Sequence, residues 1–192
     1  MLKKIVLLLA CLVVLFSSSV SAMNVKGFSD DLKIRQALTL LDNVGATEIF
    51  DNLMENSVKI QFYDLTQISF SYGKHFAMNT TDNWGNRYIL INSRYKNAPV
   101  EQIACLIAHE SCHKARVATL AEETKATRTE AKYWQVLKNR NIAYAPSALL
   151  TRLNNLANLE NTSTVDHDYI QERISNSSFY KQQLAVRERK TF

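Results

Sequence analysis

Glycine stops at residue 85. Gly27, Gly45, Gly73 and Gly85 are the only glycines, and none occurs between residues 86 and 192. Tight hairpins draw on Gly, Asn-Gly or Pro, and the chain has only 2 prolines. This argues against a turn-dense sandwich or barrel and predicts a second half that is mostly helix. The shortage also excludes collagen-like and Pro/Gly low-complexity chains. Glycine-rich phosphate cradles and the G-x-S-x-G nucleophile turn are absent for the same reason. Hydrophobic residues at 46% and charged residues at 21% leave the composition of a globular domain.

The first residues have the three regions of a secretory signal peptide. MLKK is a positive start, IVLLLACLVVLF an apolar run, and SSSVSA places Val20 and Ala22 at the −3 and −1 positions of a cleavage site. The run falls short of the ~20 residues of a membrane span, and it continues past Cys11, which argues against a lipobox at Leu8 to Cys11. The expected organisation is a signal peptide over 1–22 and one domain over 23–192. Export to the periplasm or the extracellular space follows, with no membrane anchor after cleavage. Losing Lys3 and Lys4 leaves 21 basic against 18 acidic residues, so the net charge falls from +5 to +3. No basic face is clustered enough to predict a nucleic-acid partner. Cys105 and Cys112 remain; two turns apart on one helix, they would be roughly 10.5 Å from each other. A disulfide needs Cα atoms within ~7 Å, so none is expected.

Hydrophobic periodicity orders the elements. Ser29 to Leu41 carries Leu32, Ala37, Leu38, Leu40 and Leu41 at helical spacing, with Ser29 as N-cap. Thr47 to Met54 repeats the pattern with Ile49, Phe50, Leu53 and Met54. Val58, Ile60 and Phe62 then alternate with polar residues, as in a half-buried strand. Gln67 to Tyr72 alternates through Ile68, Phe70 and Tyr72 and reads as a second strand. Asn79 to Asn86 has turn residues, and Arg87 to Asn92 (RYILIN) reads as a third strand. Helical spacing resumes from Pro99, which fits a first helical turn.

Residues 109 to 113 read HESCH, an H-E-x-x-H. On a helix, His109 and His113 lie one turn apart on one face and can bind one Zn²⁺, with Glu110 beside them as a base. Ile103, Leu106, Ile107 and Ala108 give this helix a buried surface. The extended motif H-E-x-x-H-x-x-G-x-x-H is excluded by Arg116 and Thr119. Thr119-Leu-Ala-Glu122 reads as a capping box that starts a second helix and uses Glu122 as its capping partner. On that helix Leu120, Glu123, Thr127, Glu130, Ala131 and Trp134 share one face. If the chain reverses near Ala118, Glu123 lies level with His113 and Glu130 beyond His109. Glu123 is therefore the expected third ligand. Glu130 is the runner-up, better suited to accept a histidine N–H. His167, between Asp166 and Asp168, is a rival ligand.

The stretch from Arg87 to Trp134, about a quarter of the chain, resembles the gluzincin branch of the zinc metallopeptidases. That branch has a strand, an H-E-x-x-H helix and a following helix that donates a glutamate, and Glu123-x-x-Ala126 is similar to the E-x-x-A of several such families. The resemblance implies an α+β, small zincin-like domain. It would have an N-terminal helical segment, a short, mostly antiparallel sheet, the H-E-x-x-H helix and a helical C-terminal half. It implies Zn²⁺ as cofactor, His109, His113 and Glu123 as ligands, Glu110 as catalytic base and a peptide or protein as substrate. An edge strand near the zinc would pair with extended substrate, and RYILIN is the candidate. A transition-state donor could come from Tyr88, Tyr95, His75 or His167, each of which has an ordinary structural reading. Cys105 lies four residues before His109 and reads as a small buried hydrophobe. Asn79, Asn161 and Asn176 head glycosylation sequons. The competing readings are a secreted helical binding protein without turnover and a domain that uses zinc only structurally.

Overall fold

The computed structural model describes residues 23–114, 118–139, 141–164 and 167–178. The proposed signal peptide, Arg116 and Asp166 lie outside them.

Two helices come first. α1 (Leu32–Asn43) starts at Asp31, whose carboxylate accepts the N–H groups of Lys33 and Ile34. Asp31, not the expected Ser29, is thus the N-cap; the Ser29 hydroxyl accepts the N–H of Asp31 one step earlier. Ile34, Ala37, Leu38 and Leu41 form the buried stripe. Gly45 (φ 73°) ends the helix. Its N–H reaches Asp42 O and the Ala46 N–H reaches Leu41 O, the paired closure that a left-handed residue permits. α2 (Thr47–Glu55) buries Ile49, Phe50 and Leu53.

The sheet has three strands in the order β1-β3-β2. β1 (Lys59–Tyr63) is parallel to β3 (Arg87–Asn92) and β2 (Ala77–Thr81) is antiparallel to it. The sheet is therefore mixed, not mostly antiparallel. RYILIN is the central strand, and Ile89 to Asn92 are buried, so it cannot be the open edge. Gln67 to Tyr72 is not a strand: short 3₁₀ turns at Leu65–Gln67 and Phe70–Lys74 replace it. The apolar alternation there has no buried face, since Ile68 and Phe70 are exposed. Asp64 caps the first turn. The turns also approach so closely that a Cβ on Gly73 would lie 2.7 Å from the Thr66 methyl. The second strand is instead β2, which overlaps the expected turn region at Asn79–Thr81. The turn is confined to Asp82–Asn86, where the Asp82 carboxylate accepts the N–H groups of Trp84 and Asn86.

α3 (Val100–Ser111) is buried from Gln102 to Ser111 and forms the centre of the fold. A helix covered all round needs partners on every side; α1, α2, the sheet, α4 and α5 provide them. Pro99 is its N-cap rather than a first-turn residue. α4 (Leu120–Leu137), α5 (Ala148–Thr162) and α6 (Tyr169–Asn176) complete the described residues, capped by the side chains of Thr119, Ser147 and Asp168. Their C-terminal caps Lys138, Ser163 and Ser177 have extended backbone at negative φ. A helical half without glycine is possible because none of these ends uses the left-handed conformation. Trp134 of α4 is fully buried and donates its indole N–H to Asn154 on α5. Among the described residues no helix is long and apolar enough to cross a membrane. The protein is an α+β structure.

Candidate metal centre

α3 and α4 pack side by side and bring two histidines and a glutamate together. Nε2 of His109 is 3.8 Å from one carboxylate oxygen of Glu123, and Nε2 of His113 is 3.8 Å from the other. The rings meet edge to face with centroids 5.1 Å apart. All three residues are buried, and among the described residues they form the one group whose donor atoms converge closely enough to share a metal ion. Bonds of 2.0–2.2 Å to a tetrahedral ion would place neighbouring donors about 3.4 Å apart. A separation of 3.8 Å needs only a small inward movement. Two imidazoles and a carboxylate are a donor set for a divalent transition metal, so the residues fit the group.

The outer ring nitrogens face further carboxylates. Glu130 Oε2 lies 3.0 Å from Nδ1 of His109. Glu122 Oε1 lies 3.6 Å from Nδ1 of His113. Such outer partners set the tautomer and orientation of a metal-ligating histidine. Glu122 departs from its expected role. The Thr119 hydroxyl does accept the Glu122 N–H, as a capping residue should. The Glu122 carboxylate instead accepts the N–H of Lys114, which lies beyond the end of α3 and has no helical partner. Glu130 takes the place expected of a runner-up, behind His109 rather than in the donor group. Sequence reasoning did not identify Arg152 on α5, which grips Glu130 with two hydrogen bonds of 2.9 and 2.7 Å. No motif surrounds Arg152 to single it out.

Burial pushes the Glu130 carboxyl up, but the Arg152 charge, the His109 contact and the Arg152 hydrogen bonds outweigh it and hold the carboxyl at about 2. Burial alone would push the His109 ring down; the Glu130 carboxylate against it, with Glu110 nearby, raises it. Burial pushes Glu110 up, against the pull of the two histidine rings and with added repulsion from Glu123 and Glu130. Because Glu130 is depressed on folding, it stabilises the metal-free protein above about pH 4.5. That contribution is lost as pH falls toward about 2. Arg152→Met should destabilise the chelator-treated protein by about 2–3 kcal/mol in urea unfolding at pH 7, since it strands a buried carboxylate while Arg152 itself is partly exposed. The deficit should shrink near pH 2.

The chain matches no known family model, no curated protein and no solved structure. The site therefore rests on its own geometry.

The other sequence candidates have other surroundings. His167 is half-exposed and pairs with Glu172 at 2.9 Å, outside the donor group. The Tyr88 hydroxyl reaches Asp82, Tyr95 stacks on Phe76, and His75 packs against Tyr72. Cys105 and Cys112 are free and buried, and burial pushes the Cys105 thiol well up, as for an inert core thiol.

Proposed function

We propose that the protein is an exported zinc-dependent metallopeptidase, zincin-like in arrangement. The observation that carries this reading is the Glu123 carboxylate set 3.8 Å from each histidine Nε2, with Glu110 buried within electrostatic reach of both rings. His109, His113 and Glu123 would hold the ion, and Cys105 and His167, the candidates for a closing fourth ligand, are not in the group. Three protein donors among the described residues, with a fourth position left for water, favour catalysis over a structural role. Bound zinc would supply Lewis acidity, acidifying water and polarising the scissile carbonyl. Glu110 accepts the proton of the attacking water and delivers it to the leaving amine as the C–N bond breaks.

The edge that would take an extended peptide is β2. The outer side of β1 is used, because the Ile60 N–H donates to Phe28 O. β2 lies against α3. The bonds Asn92 N–H to Phe76 O and Asp82 N–H to Asn86 O bracket it. With the two-residue alternation of an antiparallel ladder, Met78 and Thr80 direct their backbone groups at β3. Ala77, Asn79 and Thr81 then direct theirs outward, where no described strand pairs with them. A peptide adding there by β-pairing would run beside the motif helix.

The test is hydrolysis of an unfolded protein substrate by the zinc-loaded protein. Cleavage should stop when a chelator removes the metal and return on adding zinc, with one zinc per chain by mass spectrometry. A protein that takes up no metal, or takes it up and cleaves nothing, counts against the reading.

A further inference from the structure

The second histidine of the motif is not on the helix. α3 ends at Ser111, Cys112 is its C-terminal cap, and His113 lies beyond it. Helical spacing from sequence puts both histidines on one helix, where backbone hydrogen bonds would fix their spacing. Here the His113 N–H has only a 3.3 Å bond to Glu110 O. The last carbonyls of a helix need partners from elsewhere, and at this end the sheet provides them.

Two side chains of the β2–β3 hairpin converge on the segment. Arg87 Nη2 donates to His113 O at 2.6 Å and to Asn79 Oδ1 at 3.1 Å. Asn79 Nδ2 donates to Glu110 O at 2.9 Å and to His113 O at 3.3 Å. Arg87 Nη1 is anchored on Asn56 Oδ1 at 2.8 Å. The guanidinium therefore spans from α2 to the end of α3, and its charge lies at the negative end of the helix dipole. Asn79 belongs to β2 and, by the register above, turns its own backbone groups to the open edge.

We propose that Arg87 and Asn79 are positioning residues for His113. They hold the backbone of the second ligand just past the end of the helix, and they tie it to the strand that would bind the peptide. The inference rests on the metal-site reading, and it specifies what makes that site rigid. A rigid fork is required, because a lysine carries its donors at a single point and cannot span Asn56 and His113 together.

The test uses the full chain with zinc alone as probe, in competition with a chelating dye, alongside thermal unfolding of the metal-free protein. Arg87→Lys keeps the charge at the helix end and removes the fork; Asn79→Ala removes the two donors. Each should weaken zinc binding about 10- to 100-fold, the range for lost outer contacts of a metal site. Lys33→Met is the control, since Lys33 Nζ donates to Ala98 O, just before the opposite end of the same helix. It should leave zinc affinity unchanged while removing a comparable hydrogen bond. Wild-type affinity in folded Arg87→Lys overturns the inference, as does an equal loss in Lys33→Met. If Asn79→Ala does not fold, Arg87→Lys decides alone. A wild type that takes up no zinc defeats the metal-site reading itself, which is a different result.

Discussion

Glu110→Gln should keep its zinc and lose about 10²- to 10⁴-fold in hydrolysis, the usual contribution of a positioned general base. Glu110 is outside the donor group of His109, His113 and Glu123, so replacing its carboxylate with an amide removes no ligand. Glutamine has nearly the same shape, which matters at a buried position. The change also withdraws a negative charge that Glu123 and Glu130 oppose, so the fold should not weaken. Metal content per chain and the initial rate on an unfolded substrate give the two readouts. Full metal with little activity identifies a base; wild-type activity would remove Glu110 from the chemistry.

What the sequence reveals follows from where each constraint originates. A helix fixes its own periodicity, so the buried face of α4 with Glu123, Thr127, Glu130 and Trp134 could be read directly from spacing. The pairing of that face with His109 needed only an antiparallel reversal. β2 could not be read in this way. AMNTT has no buried alternation, and it is a strand because β3 pairs with it. Conversely, Ile68 and Phe70 alternate without a sheet to cover them. Periodicity carries the helix through His113, past its end at Ser111, because spacing does not signal where a helix ends. The residues that compensate, Arg87 and Asn79, meet it across separations of 26 and 34 positions. Arg152 meets Glu130 across 22. Such contacts arise from how elements dock, which one sequence does not encode locally.

Glu123→Ala should abolish most of the stabilisation that zinc gives. At a free zinc concentration 1,000 times Kd, binding stabilises a folded protein by about 4.1 kcal/mol. For a chain of this size that corresponds to a rise in Tm of about 8–16 °C. Loss of an outer partner weakens a metal site by about 10- to 100-fold, and loss of a direct ligand should reach at least the upper end. At the same zinc concentration the variant would then retain about 1.4 kcal/mol, or about 3–6 °C. Glu130→Ala should separate from it in the metal-free protein. Glu130 is fully buried on Arg152, so its removal breaks a buried pair and lowers Tm before any metal is added. Removing Glu123 relieves repulsion against Glu110, which offsets part of the loss of its 3.8 Å contacts with the two histidines, so the metal-free Tm should fall less than in Glu130→Ala. Scanning calorimetry with and without zinc reads both differences. A full zinc shift in Glu123→Ala would transfer the third position to another residue. A lost shift on an intact metal-free fold would mean that the carboxylate facing both imidazoles serves to hold the ion.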